Sequence, residues 1–395
     1  MPAKIASGTA GPIGKALAIF GLVAFVVAAL LSGSDRQSRL FPNAPSLVGW
    51  PYDTGAARSK AIMAFVQTGP ASAIGYARRS IVSDPISAQT VSILARAQLY
   101  AGQLAPAQKT FAVTSQMGWR DALTQLYWMD QALQVDDVKV AAQRLDALLR
   151  QTPDDENRDK FLAVISATPE GRHAISERLK LLPNWAPVYA TYIGNLPPDQ
   201  LSQRVDVMLR TGSGIWDCAS TEDLAQKLIL SNMYAEAQAV WHLNCPNSRS
   251  YVYDGEFERV DLTKPSSGFN WVLSDRGDVD IALAEDRPGQ RILTIDVKAA
   301  VSVPVLRQTL ILTPGNYRLT WQTPGVSKDQ ARALRVSLSC GSGRDEAANG
   351  EPDPTRGETY SADFTVDSEC PAHLLTFWLD ARSSARIANV ALNRL

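Results

Sequence analysis

Residues 94–111 read Leu94-Ala-Arg-Ala-Gln-Leu-Tyr-Ala-Gly102-Gln-Leu-Ala-Pro-Ala107-Gln-Lys-Thr-Phe111. Small and apolar residues recur at third- and fourth-neighbour spacing, Gly102 interrupts them, and the pattern resumes. That is the signature of two short helices joined by a tight turn. The roles return 34 residues on: Gly102 to Asp136, Ala107 to Ala141, Phe111 to Leu145, with Trp128 and Met129 before the turn, Leu148 after it and Pro153 closing the unit. In the other direction they fall on Ala61, Thr68-Gly69, Ala73 and Ala77, and Pro85 ends the unit. A fixed period of this length marks a repeat array.

The pattern resembles a degenerate tetratricopeptide repeat. Alanine at the crossing lets two antiparallel helices approach, while larger residues fill the space against the next hairpin. A looser unit follows on Leu162, Ala163, Gly171, Ala174 and Leu181, with Pro183 and Pro187 after it. Pro197-Pro198-Asp199 starts another helix. A last hairpin carries Ala225, Asn232, Tyr234, Ala237 and Trp241. Residues 54–246 are thus expected to form an α-solenoid. The resemblance implies a concave face that docks a protein partner; a spacer role is the alternative. Tyr100, Trp119, Tyr127 and Trp128 read as core. Asp136-Asp137 and Asp154-Asp155-Glu156 read as helix starts, where carboxylates favour the dipole.

N-terminal to the array, Ala16 to Leu31 holds no charged residue. As a helix it covers roughly 24 Å, and Ile13, Gly14 and a snorkelling Lys15 bring it to the ~30 Å of a hydrocarbon core. Residues 16–31 are read as one anchor in a lipid bilayer, 1–15 as a cytoplasmic N-terminus and 32–53 as a linker. A removable secretory signal, with a small-residue site at Val27-Ala28-Ala29, is the competing reading. Flanking charge (Lys4 and Lys15 against Arg36 and Arg39) does not orient the segment.

The 395 residues carry a net charge of −1, which argues against a nucleic-acid partner. Four cysteines, Cys218, Cys245, Cys340 and Cys370, allow three pairings. Taken within each expected domain they pair 218 with 245 and 340 with 370. Both bridges together would place the body in an oxidising compartment such as a periplasm, each stabilising its domain by about 3–4 kcal/mol.

After Pro246 the texture changes to period two: Ile292-Leu-Thr-Ile-Asp-Val, Tyr317-Arg-Leu-Thr-Trp, Leu334-Arg-Val-Ser-Leu and Leu375-Thr-Phe-Trp-Leu. Pro-Gly turns separate the runs, so residues 251–395 are expected to form an antiparallel β-sandwich. Phe257, Trp271, Tyr317, Leu319 and Trp321 take the inward phase. Thr376, Trp378, Arg335 and Gln322 take the outward one.

Tyr253-Asp-Gly-Glu-Phe257-Glu258, Gly268-Phe-Asn-Trp271, Leu312-Thr-Pro-Gly315-Asn-Tyr317 and Ile387-Ala-Asn389-Val-Ala-Leu392 stand in that order. Together they resemble the jelly-roll carbohydrate-binding modules, the galactose-binding-like sandwiches. The resemblance implies glycan contact through an exposed aromatic, for which Trp378 is the candidate, with Thr376, Arg335 and Gln322 beside it. It also implies a structural calcium site near Glu256 or Glu258 and Asn389, the last replacing a carboxylate. No other cofactor is expected.

No Gly-x-Ser-x-Gly, P-loop or His-Glu-x-x-His is present, and there are three histidines, so an enzyme is not expected. The fold class expected is multidomain α + β: apolar helix, solenoid, jelly roll. The expected function is a non-catalytic, single-pass inner-membrane scaffold with its body in the periplasm, docking a protein and touching polysaccharide, as in exopolysaccharide assembly or export. A pure protein scaffold with the sandwich as a cap is the first alternative, and a glycan-processing enzyme the second.

Overall fold

The computed structural model describes residues 12–40, 54–153, 156–191, 193–245, 250–264, 267–287, 290–340, 345–352, 358–367 and 370–395. The chain is multidomain α + β and divides into two compact units, residues 1–152 and 153–395.

The first unit holds α1 (Pro12–Leu40), α2 (Thr54–Gln67), α3 (Pro70–Ser83), α4 (Ala88–Tyr100), α5 (Leu104–Gln116), α6 (Ala122–Gln134) and α7 (Val138–Leu149). The last six pack as three antiparallel hairpins. Their crossings are made by Ala61, Ala73, Ala77, Ala95, Ala107 and Ala141, all fully buried. Each hairpin turns on the same hydrogen bond, from the amides of Gly69, Gln103 and Asp137 to the carbonyls of Ala64, Gln98 and Ala132, at 2.9 Å each. This bond closes a helix end by a left-handed residue. Gly102 supplies it at φ +79° and Asp136 at +57°, Asp being one of the few residues with a side chain that tolerate it. The 34-residue period is therefore a backbone period as well. Asp137 caps α7, its carboxylate accepting from Val140 N at 3.0 Å. Asp154 and Asp155 lie outside the described residues.

Helix α1 is apolar through Leu31 and, contrary to the expected linker from residue 32, continues to Leu40. The polar end Ser-Gly-Ser-Asp lacks an apolar period, so the sequence looks like coil. It stays helical because its partners are distant in sequence. Asp35 accepts from Gly55 N and Ala56 N, both at 3.1 Å, capping α2. Ser59 Oγ donates to the Ser38 carbonyl at 2.7 Å. Residues 41–53 of the expected linker, and 1–11, lie outside the described residues.

The second unit opens with α8 (Arg158–Ser166), α9 (Pro169–Leu179), α10 (Ala186–Tyr189), α11 (Pro198–Thr211), α12 (Cys218–Leu230) and α13 (Tyr234–Asn244). Gly171 is not the turn residue expected of it. It lies in the first turn of α9, after the cap Thr168, where a Cβ would collide with the Ile165 carbonyl. Asn232, at φ +60°, does turn α12 into α13.

The sandwich follows: β1 (Val272–Leu273), β2 (Val279–Arg287), β3 (Gln290–Val297), β4 (Val303–Leu310), β5 (Gly315–Gln322), α14 (Lys328–Arg332), β6 (Leu334–Cys340), β7 (Asp345–Asn349), β8 (Glu351–Pro352), β9 (Thr359–Val366), β10 (His373–Leu379) and β11 (Ser384–Arg394). One sheet runs β1-β4-β10-β6-β7, the other β2-β3-β11-β5-β9-β8, and the pairings are antiparallel. The five inward residues expected, Phe257, Trp271, Tyr317, Leu319 and Trp321, are all buried between the sheets with Phe377 and Leu375. Both disulfides are closed as paired in the sequence reading, Cα atoms 5.0 Å apart for Cys218–Cys245 and 5.7 Å for Cys340–Cys370.

The α12–α13 hairpin is joined to the sandwich. Glu222 accepts from Ser267 N at 2.6 Å and Gln226 from Gly268 N at 2.8 Å. The Trp241 ring meets Tyr253 and Phe269 at 5.1 and 5.6 Å.

Candidate functional site

Two surfaces stand out, one in each unit. In the first, a groove of about 630 Å³ runs across the leading helices of the hairpins. On α2 it is lined by Arg58, Ile62, Phe65 and Val66, on α4 by Gln89, Ser92, Ile93 and Arg96, then by Asp121, Leu123 and Gln151. The spacings 58-62-65/66 and 89-92/93-96 are one helix face each. That face is opposite in kind to the alanine face that packs the hairpins. It leaves apolar groups in water, with Ile62 44% and Val66 77% exposed.

Polar groups frame this floor. The Arg96 guanidinium lies 4.6 Å from the Phe65 ring centre, and Phe65 meets Tyr100 edge-on at 5.4 Å. Arg58 donates to Gln89 Oε1 at 3.0 Å. Asp121 is buried and already engaged. Its carboxylate accepts from Ser92 Oγ at 3.0 Å and caps α6 through Thr124 N at 2.8 Å. Gln151 donates to the Trp119 carbonyl at 3.2 Å, tying that aromatic to the groove's end. Arg144 stacks on the Trp119 ring at 4.0 Å. Tyr100 and Trp119, expected in the core, are 65% and 50% exposed. Helical spacing gave no means of separating these rings from Tyr127, which stacks on Phe111 at 4.0 Å.

In the second unit, the outer face of the five-stranded sheet gathers three of the four expected contact residues. Trp378 stands in register with Arg335 on β6 and Pro304 on β4. It is half-buried, and its indole donates to Ser337 Oγ at 2.9 Å. Arg335 is held by Asp380 at 2.7 Å and Ser302 at 2.9 Å. Thr376 is on the expected face but buried, at 3% exposure, because β10 is central and Arg307 and Ser337 flank it in register. Gln322 belongs to the other sheet. There its Oε1 accepts from Asn389 Nδ2 at 2.6 Å. Alternation assigns a residue to a face but not to a sheet, so period two alone does not separate Gln322 from Trp378.

Beside this face lies a polar pocket of about 650 Å³, lined by Asp261, Lys264, Asp275, Arg276, Asp280 and Arg307 among others. Arg276 is held by Asp278, both nitrogens within 2.9 Å, and Lys298 pairs with Asp280. These hydrogen bonds hold Asp278 below the usual carboxylate range and Lys298 above its own. Arg307 is exposed and links pocket to face, since it pairs in register with both Val272 and Thr376. It had no sequence signal beyond its outward phase.

The residues expected at a calcium site lie in the opening turn and on β11. Glu256 and Glu258 are exposed, and Asn389 is turned onto Gln322. The acid that organises the opening turn is Asp254, whose carboxylate accepts from Glu258 N at 2.8 Å and Arg259 N at 3.0 Å. Burial pushes its pKa up despite those amides. Among the described residues no group of three or more His, Cys, Asp or Glu is placed to hold a metal.

No protein-family model matches the chain, and no curated protein matches it. Solved structures do. A CBM61 module in complex with β-1,4-galactotriose is 18% identical, over 37% of this chain and 99% of its own, at a TM-score of 0.26. A CBM4 module is 12% identical, over 36% and 99%, at 0.25. The CBM22-1 xylan-binding domain of Paenibacillus barcinonensis Xyn10C is 11% identical, over 31% and 85%, at 0.23. All three are carbohydrate-binding modules.

Proposed function

We propose that the protein is a non-catalytic, membrane-anchored scaffold of a cell envelope whose helical hairpins, a degenerate tetratricopeptide array, dock a protein partner. The observation that carries this is the groove over α2 and α4, with an apolar floor in water and a cation on its rim. Burying that floor is favourable at roughly 25 cal/mol per Å². The anchor is α1, whose Pro12–Ser38 stretch contains an 18-residue window of mean hydropathy 2.5. The two disulfides support a periplasmic body. A non-catalytic reading is supported by buried or half-buried carboxylates that are engaged in caps and ion pairs, Asp121, Asp159 and Asp206 among them. Asp159, Asp206 and Asp363 are all held low by arginine partners, although burial opposes them.

The test is Ile62→Asp with Val66→Asp, both exposed and so tolerated by the fold. In native electrophoresis of solubilised membranes, the wild-type chain is expected in a larger assembly and the variant as the free chain. Identical migration would contradict partner docking by this face.

A second contact, with polysaccharide, is supported by the polar pocket that Arg307 joins to Trp378. In affinity electrophoresis through gels containing extracellular polysaccharide, Trp378→Ala and Arg307→Ala are expected to abolish retardation of the solubilised chain. Equal retardation removes this face from the proposal. Absence of retardation in the wild type leaves the sandwich as a cap of the scaffold. A role in exopolysaccharide assembly or export joins the two contacts in one function.

A further inference from the structure

Resting on the reading of the groove over α2 and α4 as the docking face, we infer that the partner segment it takes is acidic as well as apolar, and that Arg96 receives its carboxylate. The charge of this region is lopsided. Residues 54–120 hold seven lysines and arginines and one acid, Asp84, in a chain of net charge −1. None of α2, α3, α4 and α5 contains an Asp or Glu. Asp84 follows α3 as its C-terminal cap, and no described residue of α3 lines the groove. The one carboxylate among the described residues of the lining, Asp121, is 3% exposed and turned onto α6. It accepts from Thr124 N at 2.8 Å, from the Thr124 hydroxyl, and from Ser92 Oγ at 3.0 Å.

Arg96 is not engaged in that way. It is exposed, and its guanidinium lies 4.6 Å from the Phe65 ring centre and 5.8 Å from that of Tyr100. Among the described residues it neither donates a hydrogen bond nor pairs with an acid. Aromatic rings hold a guanidinium by its face and leave the N–H groups of its edge to a ligand. The same chain shows what that fork takes: Arg276 and Arg318 each hold an aspartate through Nε and Nη2, at 2.7–2.9 Å. A segment that covers Ile62, Phe65 and Val66 also takes water away from Arg96. A neutral segment would leave that cation desolvated and unpaired, which is strongly unfavourable, and a basic one would add repulsion. A carboxylate flanked by apolar side chains satisfies floor and cation together. It belongs to an Asp, a Glu or the C-terminus of the partner protein, held in a charge-assisted, bidentate pair.

The test uses the full chain in cells, with the photo-crosslinker p-benzoylphenylalanine at Val66 to report docking. Arg96→Glu is expected to lower the yield of the Val66 adduct by about ten-fold or more, because like charges then face each other, and Arg96→Lys to keep it. Arg96→Lys also supplies an amine at the site. Membranes carrying that variant, without the photo-crosslinker and treated with a water-soluble carbodiimide, are expected to yield an adduct absent from the wild type and from Arg96→Gln. Mass spectrometry of the joined peptides is expected to find position 96 amide-linked to an Asp, Glu or C-terminal carboxylate of the same protein that is captured at Val66. A Val66 adduct whose yield Arg96→Glu leaves unchanged, with no amide at position 96, overturns the acidic segment and leaves docking by the groove standing. An amide from position 96 to a sugar acid overturns a protein as the source of the carboxylate. No adduct at Val66 in any of these chains overturns both readings.

Discussion

Single residues set how this protein responds to its surroundings. His373 opens β10 and is buried, and its Nδ1 has no hydrogen-bond partner among the described residues. Burial pushes its pKa down, and the charge of Asp367 opposes the shift without overcoming it. The unfolded chain therefore takes up the proton first. The stability that the neutral imidazole permits is present above the unfolded value of about 6.5 and is lost as pH falls through the lower folded value. The resistance of the second unit to urea is expected to fall on going from pH 7 to pH 5, and His373→Gln to flatten that slope. An unchanged slope in the variant assigns the acid sensitivity elsewhere. His373 was counted in the sequence but not placed, since nothing in Ala-His-Leu-Leu announces that this turn is covered. Trp378, two strand positions beyond Thr376, was legible as an outward aromatic. The buried state of Thr376 was not, because it comes from flanking strands remote in sequence.

Among elements, the helices and strands were the most readable part. Alanines every third or fourth position, a left-handed turn residue and a 34-residue return specify stacked hairpins almost without reference to the rest of the chain. Alternation gave the inward phase of Tyr317, Leu319 and Trp321. Strand order was not written there, so Gln322 and Trp378 were assigned to one site although they lie on separate sheets. The end of α1 was unreadable for a related reason: Asp35 is helical because of Gly55 and Ala56. The turn Tyr253–Glu258 shows an element fixed by close approach. Its Gly255 carbonyl accepts from Val390 N at 2.9 Å, and a Cβ on Gly255 would run into the Val390 carbonyl oxygen. Trp271 Nε1 holds the same turn through the Asp254 carbonyl at 2.9 Å. Gly255→Ala is expected to destabilise the sandwich by about 1–3 kcal/mol, as overpacking does. A midpoint unchanged in thermal unfolding would show that this turn can lift from β11 without cost.

At the scale of the whole molecule, function is assigned to surfaces rather than to a cleft with chemistry in it. The groove over α2 and α4 was only half legible. The repeat implied a face for a partner, yet its lining was hidden because Ile62, Phe65 and Val66 look like core until the alanine face is recognised as the one that packs. The signal in the sequence is an apolar stripe offset from the alanines on the same helix. The sandwich was legible as a fold and less so as a site, since Arg307 draws its place from two neighbouring strands. Partner docking by the groove is the claim on which the rest depends. It is tested most directly by placing the photo-crosslinker p-benzoylphenylalanine at Val66, and at Val82 as an exposed control on α3, and irradiating intact cells. One discrete protein adduct at Val66 and none at Val82 is the result expected. No adduct at Val66, or the same adducts at both positions, would contradict the account.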